Sequence, residues 1–263
     1  MLDTKHIYPD GELEAFAPIT LEEMNSVKLM NRIDSKYLTD EATLLPLLRD
    51  AARAGYKALV TEGSKIASYD TLYYDTPGLD MFIKHHNRRL VRQKIRTRIY
   101  IASGLAFLEI KRKNNQGRTK KKRIPIPPGE FKTVISDPSA AKYIETKSEY
   151  SPTVLTPALE TIFRRITLVN PGMTERVTID TCLSFNNPRN GHEGSLRNGV
   201  IIELKQEGHA WSEMKRILLD HRVKPIKVSK YCIGTTLTSP DIKSNRFKLK
   251  VRRIEKQINN KLI

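Results

Sequence analysis

The chain has 263 residues, 39% of them hydrophobic, enough for one large domain or two small ones with a core. Its 46 Lys and Arg against 29 Asp and Glu leave a formal charge of +17, which points to a polyanionic partner: nucleic acid, an anionic membrane or phosphate chains. No apolar run approaches the about 20 residues that span a bilayer, no secretory signal is evident, and Cys182 and Cys232 show neither metal-ligand nor disulfide spacing, so the expectation is a cytoplasmic protein with reduced thiols.

In chain order, residues 10–25 read as a short amphipathic lead-in, with Thr20 placed to cap a turn containing Glu22 and Glu23. Residues 27–39 read as a strand. Residues 40–54 read as a helix, acidic at its start and closed by Gly55, with Pro46 expected to kink its interior. From there the pattern is mainly β, with strands expected near 56–61, 66–75, 88–101, 106–113, 118–126, 160–169, 174–185 and 199–207. Helical pieces fall near 79–87, 137–148, 209–221 and 229–236, turn-rich loops at 125–130 and 186–195, and a basic helix at 243–263. Its default is a solvated helix, with docking on an anionic membrane or guidance of a product as alternatives, because Phe247, Leu249, Val251, Ile254 and Ile258 make no strong stripe. His85 and His86, beside Arg88 and Arg89, read as surface residues, with no third ligand spaced for a metal.

The informative signal is strand parity, because side chains alternate across a strand. In 88–101, Val91, Ile95, Ile99 and Ile101 oppose Arg92, Lys94, Arg96 and Arg98. In 106–113, Leu108 and Ile110 oppose Glu109, Lys111 and Lys113. In 160–169, Ile162, Ile166 and Leu168 oppose Arg165 and Thr167, and in 174–185 Val177 and Ile179 oppose Arg176, Thr178 and Asp180. In 199–207, Val200, Ile202 and Leu204 oppose Glu203, Lys205 and Glu207, while Arg32, Asp34 and Lys36 share a face of 27–39. Plain solvent-facing strands would alternate too, but bases crowded at alternate positions repel unless an anion lies between them. Two architectures fit: an open sheet with a wet basic face, or a barrel with a charged interior and helices outside.

Carboxylates stand among the bases at Asp34, Glu109, Asp180 and Glu203. They could hold Mg²⁺ or Mn²⁺ against phosphates, or simply pair with neighbouring Arg and Lys. Glu203, between Ile202 and Leu204, is the metal candidate. Nucleic acid is disfavoured as the partner: aromatics are only 7%, and Tyr73 and Tyr74 fall in expected core strands.

A string of short motifs occurs in order: RIDSKY (32–37), YYDT (73–76), KIRTRIY (94–100), LEIKRK (108–113), KKRI (121–124), FRRIT (163–167), RVTIDTCL (176–183), IIELK (201–205) and IKVSKY (226–231). Together they resemble the VTC domain, the polyphosphate polymerase domain of the vacuolar transporter chaperone complex, within the triphosphate tunnel metalloenzyme superfamily. Where that superfamily often opens on an ExExK strand, this chain has Arg32-Ile-Asp34-Ser-Lys36, which fits the VTC branch better than the CYTH or triphosphatase branch.

The resemblance implies an α+β fold: an antiparallel β-barrel tunnel with helices packed outside, over 1–240, followed by a basic helix or tail at 241–263. It implies catalytic roles for Arg96, Arg98, Lys111, Arg176 and Glu203, with Glu203 on Mn²⁺ or Mg²⁺. It implies phosphate binding by Lys36, Lys121, Arg165, Lys227, Ser229 and Lys230, with Lys121 against Lys122 open and Arg165 preferred to Arg164 by parity. The implied reaction transfers the ATP γ-phosphate to inorganic polyphosphate. A metal-dependent triphosphatase and a non-catalytic polyphosphate- or RNA-binding domain are the alternatives. The SPX domain and membrane segments of the larger complex are not in this sequence, so coupling to a membrane is expected only through a membrane-protein partner, with the chain peripheral to the membrane's inner face.

Overall fold

The computed structural model of the chain describes residues 9–25, 32–208 and 210–262. The expected strand residues 27–31 and His209 lie outside the described residues, as does the side chain of Arg32. The elements run α1 (Asp10–Glu14), β1 (Ala17–Ile19), α2 (Leu21–Asn25), β2 (Arg32–Asp40), α3 (Glu41–Arg53), β3 (Lys57–Leu59), β4 (Ile66–Asp75), α4 (Asp80–His86), β5 (Arg92–Tyr100), β6 (Ala106–Lys113) and β7 (Thr119–Ile126). Then follow α5 (Pro138–Lys147), β8 (Thr156–Val169), β9 (Glu175–Asn186), β10 (Glu193–Ser195), β11 (Gly199–Glu207), α6 (Glu213–Asp220), α7 (Lys230–Thr238) and α8 (Asn245–Ile258).

Local chemistry accounts for several boundaries. Thr20 and Glu23 form a reciprocal cap, the Thr20 amide donating to Glu23 Oε2 at 2.8 Å and the Glu23 amide to Thr20 Oγ1 at 3.2 Å. Asp40 caps α3 by accepting from the Thr43 amide at 2.7 Å. Helix α3 runs unbroken through Pro46, against the expected kink. Its stripe Leu44, Leu47, Leu48 and Ala51 is at most 1% exposed, and burial of about 1.5–3 kcal/mol per leucine outweighs one lost backbone bond. After the helix the chain reverses at Gly55, whose φ of +77° suits glycine.

The strands form one mixed sheet in the order β2-β11-β9-β8-β4-β5-β6-β7. The pairs along this order are antiparallel, while β1 pairs β3 in parallel. The expected barrel does not close, because β2 and β7 are the two ends of the order. Each end is protected instead. β7 reads Thr-Lys-Lys-Lys-Arg-Ile-Pro-Ile, with lysines and a proline that discourage further pairing. The free edge of β2 is met by the segment before α7: Tyr37 bridges Pro225, and the Ile226 amide donates to Lys36 O at 2.7 Å. The sheet is curled: Lys94 on β5 donates to Ser229 at the start of α7, and Lys230 of α7 reaches Asp180 on β9.

The convex face is covered in two places, as expected of helices packed outside. Helices α3 and α6 lie over β2, β11 and β9, with Leu47, Leu48, Ile217 and Leu218 meeting Val177, Ile179, Ile202 and Leu204. Helix α5 lies over β4–β7, where Ala140 and Ile144 meet Leu72, Ile95, Leu108 and Ile110. Between these covers Ile162 is 47% exposed. On the concave face, helices α4, α7 and α8 fill one end, packing Phe82, Tyr231, Phe247 and Val251 against Tyr69, Tyr73, Phe163 and Leu159. The other end is ionic.

Two expectations change here. The C-terminal helix is not simply solvated: Phe247, Val251, Ile254 and Ile258 are at most 3% exposed, while Leu249 stays out at 66%. The spacing i, i+4, i+7, i+11 makes a stripe once Leu249 is left out of it. His85 and His86 are not surface residues. His86 is 3% exposed, stacks with Phe82 and meets Phe247 edge-on. His85 Nδ1 lies 3.1 Å from Cys232 Sγ. The cause is the docking of α8 over α4, which the basic composition of α8 conceals.

Candidate functional site

Cross-strand register assembles the ionic end from the bottom up. Across β5, β6 and β7, Lys94, Lys111 and Lys121 stand directly opposite one another in one row. Beside it runs Arg96–Glu109–Arg123. On the other limb of the curl, Lys36 faces Glu203, while Lys205 faces both Asp34 and Arg176. Arg165 faces Asp180 between β8 and β9. Directly opposed like charges on one face are destabilising, and the Lys94–Lys111–Lys121 row is such a face.

Two carboxylates are directly clamped by cations. Asp180 accepts Arg165 Nε and Nη2 at 2.6 and 2.8 Å, a bidentate pair, and also the Lys230 ammonium. Glu109 accepts Arg96 Nε and Nη2 at 2.8 and 2.6 Å, and pairs with Lys121. Burial raises the pKa of either acid, but Arg165 with Lys230, and Arg96 with Arg98 and Lys121, overcome it and hold both well below the usual carboxylate range. The remaining terminal nitrogen of Arg96 donates to Tyr73 Oη at 3.0 Å. Burial raises the Tyr73 phenol, but Arg96, Lys94, Arg98 and Lys230 outweigh it and bring the pKa down to about 8.

The remaining groups are held loosely. Arg98 is 6% exposed and donates from Nε to Thr71 Oγ1 at 3.0 Å. Its terminal nitrogens make no hydrogen bond among the described residues, and its guanidinium lies 5.5 Å from the Tyr69 ring centre and 5.7 Å from that of Phe163. Lys111 makes neither hydrogen bond nor ion pair among the described residues. The Arg96 charge and then burial push its pKa down to about 6, against the opposing pull of Glu203. Burial lowers Lys121 to about 8. Glu203 oxygens lie 3.8 Å from Lys36 Nζ and 3.5 Å from Lys205 Nζ, beyond hydrogen-bonding distance. Burial opposes ionisation of Glu203, yet Lys205, Lys36, Arg165 and Lys111 keep it well below the usual range.

A dedicated metal cage does not fit these residues, since no three His, Cys, Asp or Glu gather among the described residues. A cation carried mainly by phosphate oxygens and water does fit, because such ions need only one or two protein carboxylates. Glu203 is a concave-face carboxylate that, among the described residues, has only the longer contacts at 3.5 and 3.8 Å.

Of the residues singled out in the sequence, Lys36, Arg96, Arg98, Lys111, Lys121, Arg165, Arg176 and Glu203 all sit on concave-face rows. Lys121 rather than Lys122 shares the row of Lys111, and Lys122 lies opposite Ile110 on the convex side. Arg164 is exposed, opposite Thr181, while Arg165 turns inward. Lys230 and Ser229 arrive with α7, Ser229 capping that helix while accepting from Lys94 Nζ at 2.7 Å. Lys227 is exposed on the loop before α7, near enough to Lys113 to help push that lysine's pKa down after burial and Arg92. Two members were passed over in the sequence, Lys94 and Lys205. Both carried the parity signal, at two residues from Arg96 and from Glu203 respectively.

A curled antiparallel sheet with a dense set of bases on its concave face defines the class. The VTC domain family model matches residues 31–239, and the chain belongs to that family. No curated protein matches it. Similar solved structures include a candidate adenylate cyclase from Bacillus halodurans, at 13% identity and TM-score 0.48, covering 83% of this chain and all of that one (100%). A Hippeastrum candidate adenylyl cyclase with a dominant triphosphatase activity aligns at 16% identity and TM-score 0.46, over 78% of this chain and 95% of that one. A Pyrococcus horikoshii protein aligns at 11% identity and TM-score 0.42, over 77% and 98%. Among the described residues no helix is long and apolar enough to cross a membrane.

Proposed function

We propose that the chain is a phosphotransferase that extends inorganic polyphosphate with the γ-phosphate of ATP on its concave face. The observation that carries the reading is the Lys94–Lys111–Lys121 row, whose central ammonium has no partner among the described residues and loses its proton readily for want of an anion. A triphosphate supplies that anion. Membership of a family resembling polyphosphate polymerases supports the choice of reaction.

Phosphoryl transfer asks for neutralised charge and in-line placement more than for covalent chemistry. Arg98 offers its unengaged terminal nitrogens to phosphate oxygens, and Lys111 takes up a proton as the phosphates arrive. Arg176 and Lys205 extend the binding surface on the opposite limb, with Lys36 beside Glu203. Arg96, Arg165, Lys121 and Lys230 are held by Glu109 and Asp180, so they contribute a fixed positive field that needs no reorganisation. Ser229 and Lys94 tie the start of α7 to this surface. Glu203 is the residue that would hold Mn²⁺ or Mg²⁺, whose chemistry is to neutralise charge at the transferring phosphate. A polyphosphate terminus is ionised already, so no general base is required.

The test is incubation with ATP and Mn²⁺. The expected result is ADP release matched by polyphosphate growth. Free phosphate without polymer would make the site a triphosphatase, and no turnover with retained polyphosphate affinity would make it a binding domain.

A further inference from the structure

A second basic surface lies on the opposite side of the same strands. On the convex face, Gln93 of β5, Arg112 of β6 and Lys120 of β7 stand opposite one another in one row, with Lys122 opposite Ile110 in the next. With the C-terminal end of α5 they frame a groove of about 490 Å³. Arg118 and Lys147 add positive charge to its walls, and its lining contains one acid, Glu149, held by Arg112 at 2.9 Å. Among the described residues Arg118, Lys120 and Lys122 have no ion pair.

An independent feature points to a ligand. Gln93 lines the groove and is 2% exposed. Its Oε1 accepts from the Glu149 amide at 3.3 Å, which leaves the Nε2 donor buried without a partner. Buried polar groups are nearly always satisfied, and an amide donor beside opposed cations is complemented by an anionic oxygen. No aromatic side chain lines the groove, so it lacks the stacking platform that a nucleic-acid strand uses.

We infer that this groove is a second binding site for a linear phosphate chain, separated from the concave trough by the thickness of the sheet. The inference needs only charge and geometry, and stands independently of the reaction in the trough.

The test titrates the full chain calorimetrically with inorganic tripolyphosphate, and in a second arm with a single-stranded RNA 12-mer. The expected result is two tripolyphosphate sites. Lys120→Gln with Lys122→Gln weakens one of them by about tenfold and leaves ATP turnover unchanged, while Lys111→Met weakens the other. Gln93→Met, which removes the orphan donor, weakens the groove site in the same direction, and thermal melting checks that each variant folds. If wild type shows a single site that is lost in the Lys120/Lys122 variant, the groove stands and the trough reading fails. Unchanged tripolyphosphate affinity and stoichiometry in that variant overturns the inference. RNA binding that is lost in the variant while tripolyphosphate binding is not also overturns it.

Discussion

Two sets of charges on the concave face, each spread over both limbs of the curl, use the same residue types to opposite ends. Around Asp180 and Glu109, each acid is gripped by one arginine and one lysine, with bonds of 2.6–2.8 Å to the guanidinium groups. Around Glu203 and Lys111, the nearest opposite charges stand at 3.5–3.8 Å, or none lies within pairing distance. The first set is finished by folding, and it holds strands and α7 in place. The second is left incomplete by folding, which is why we propose it as the binding surface. Under the proposed function, a sheet built from one alternating pattern carries both a scaffold and a ligand surface.

The sharpest way to break the comparison is Asp180→Asn. It leaves Arg165 and Lys230 buried without their counter-ion, and the expected loss of stability is about 3–5 kcal/mol by urea unfolding. A loss under about 1 kcal/mol would show that the Asp180 cluster is not structural. Asp180 and Glu109 have folded pKa values below the ordinary carboxylate range, so their stabilisation is present above about pH 4 and lost as pH falls further. The acid limb of the wild-type stability curve should flatten in the variant.

Lys111→Met should do the reverse. Turnover of ATP is expected to fall by about 100-fold or more, while melting temperature rises. The folded pKa of Lys111 is about 6 against an ordinary 10.5, so folding expels a proton and wild-type stability grows as pH rises between those values. The gain in the variant should therefore be larger at pH 6 than at pH 10. An intermediate effect is expected for Glu203→Gln: the cation concentration giving half-maximal turnover rises by about tenfold. The smallest is Lys227→Gln, an exposed loop residue, for which polyphosphate affinity should shift by no more than about threefold.

Much of this face was legible before the fold, because parity needs only one strand. Arg96 and Arg98 opposing Ile95 and Ile99 is readable in isolation, as is Lys111 opposing Leu108 and Ile110. The pairing of Arg96 with Glu109, and of Arg165 with Asp180, was not, since register depends on which strand lies alongside. Barrel against open sheet was not legible for the same reason: closure depends on what β2 and β7 meet, and Ile226 meets β2 from a loop with no strand pattern. Lys227 looked like Lys230 as part of IKVSKY, but a loop has no parity to separate an outward lysine from an inward one. Helix α8 hid its stripe because Leu249 interrupts the reading while Phe247, Val251, Ile254 and Ile258 pack.

The most direct test of the central claim is an experimental structure with tripolyphosphate bound. Phosphate oxygens within about 3 Å of the Arg98 terminal nitrogens and Lys111 Nζ, with the Asp180 and Glu109 pairs undisturbed, are what the account predicts. Phosphates that displace Arg165 from Asp180, or that leave Arg98 and Lys111 uncontacted, would contradict it.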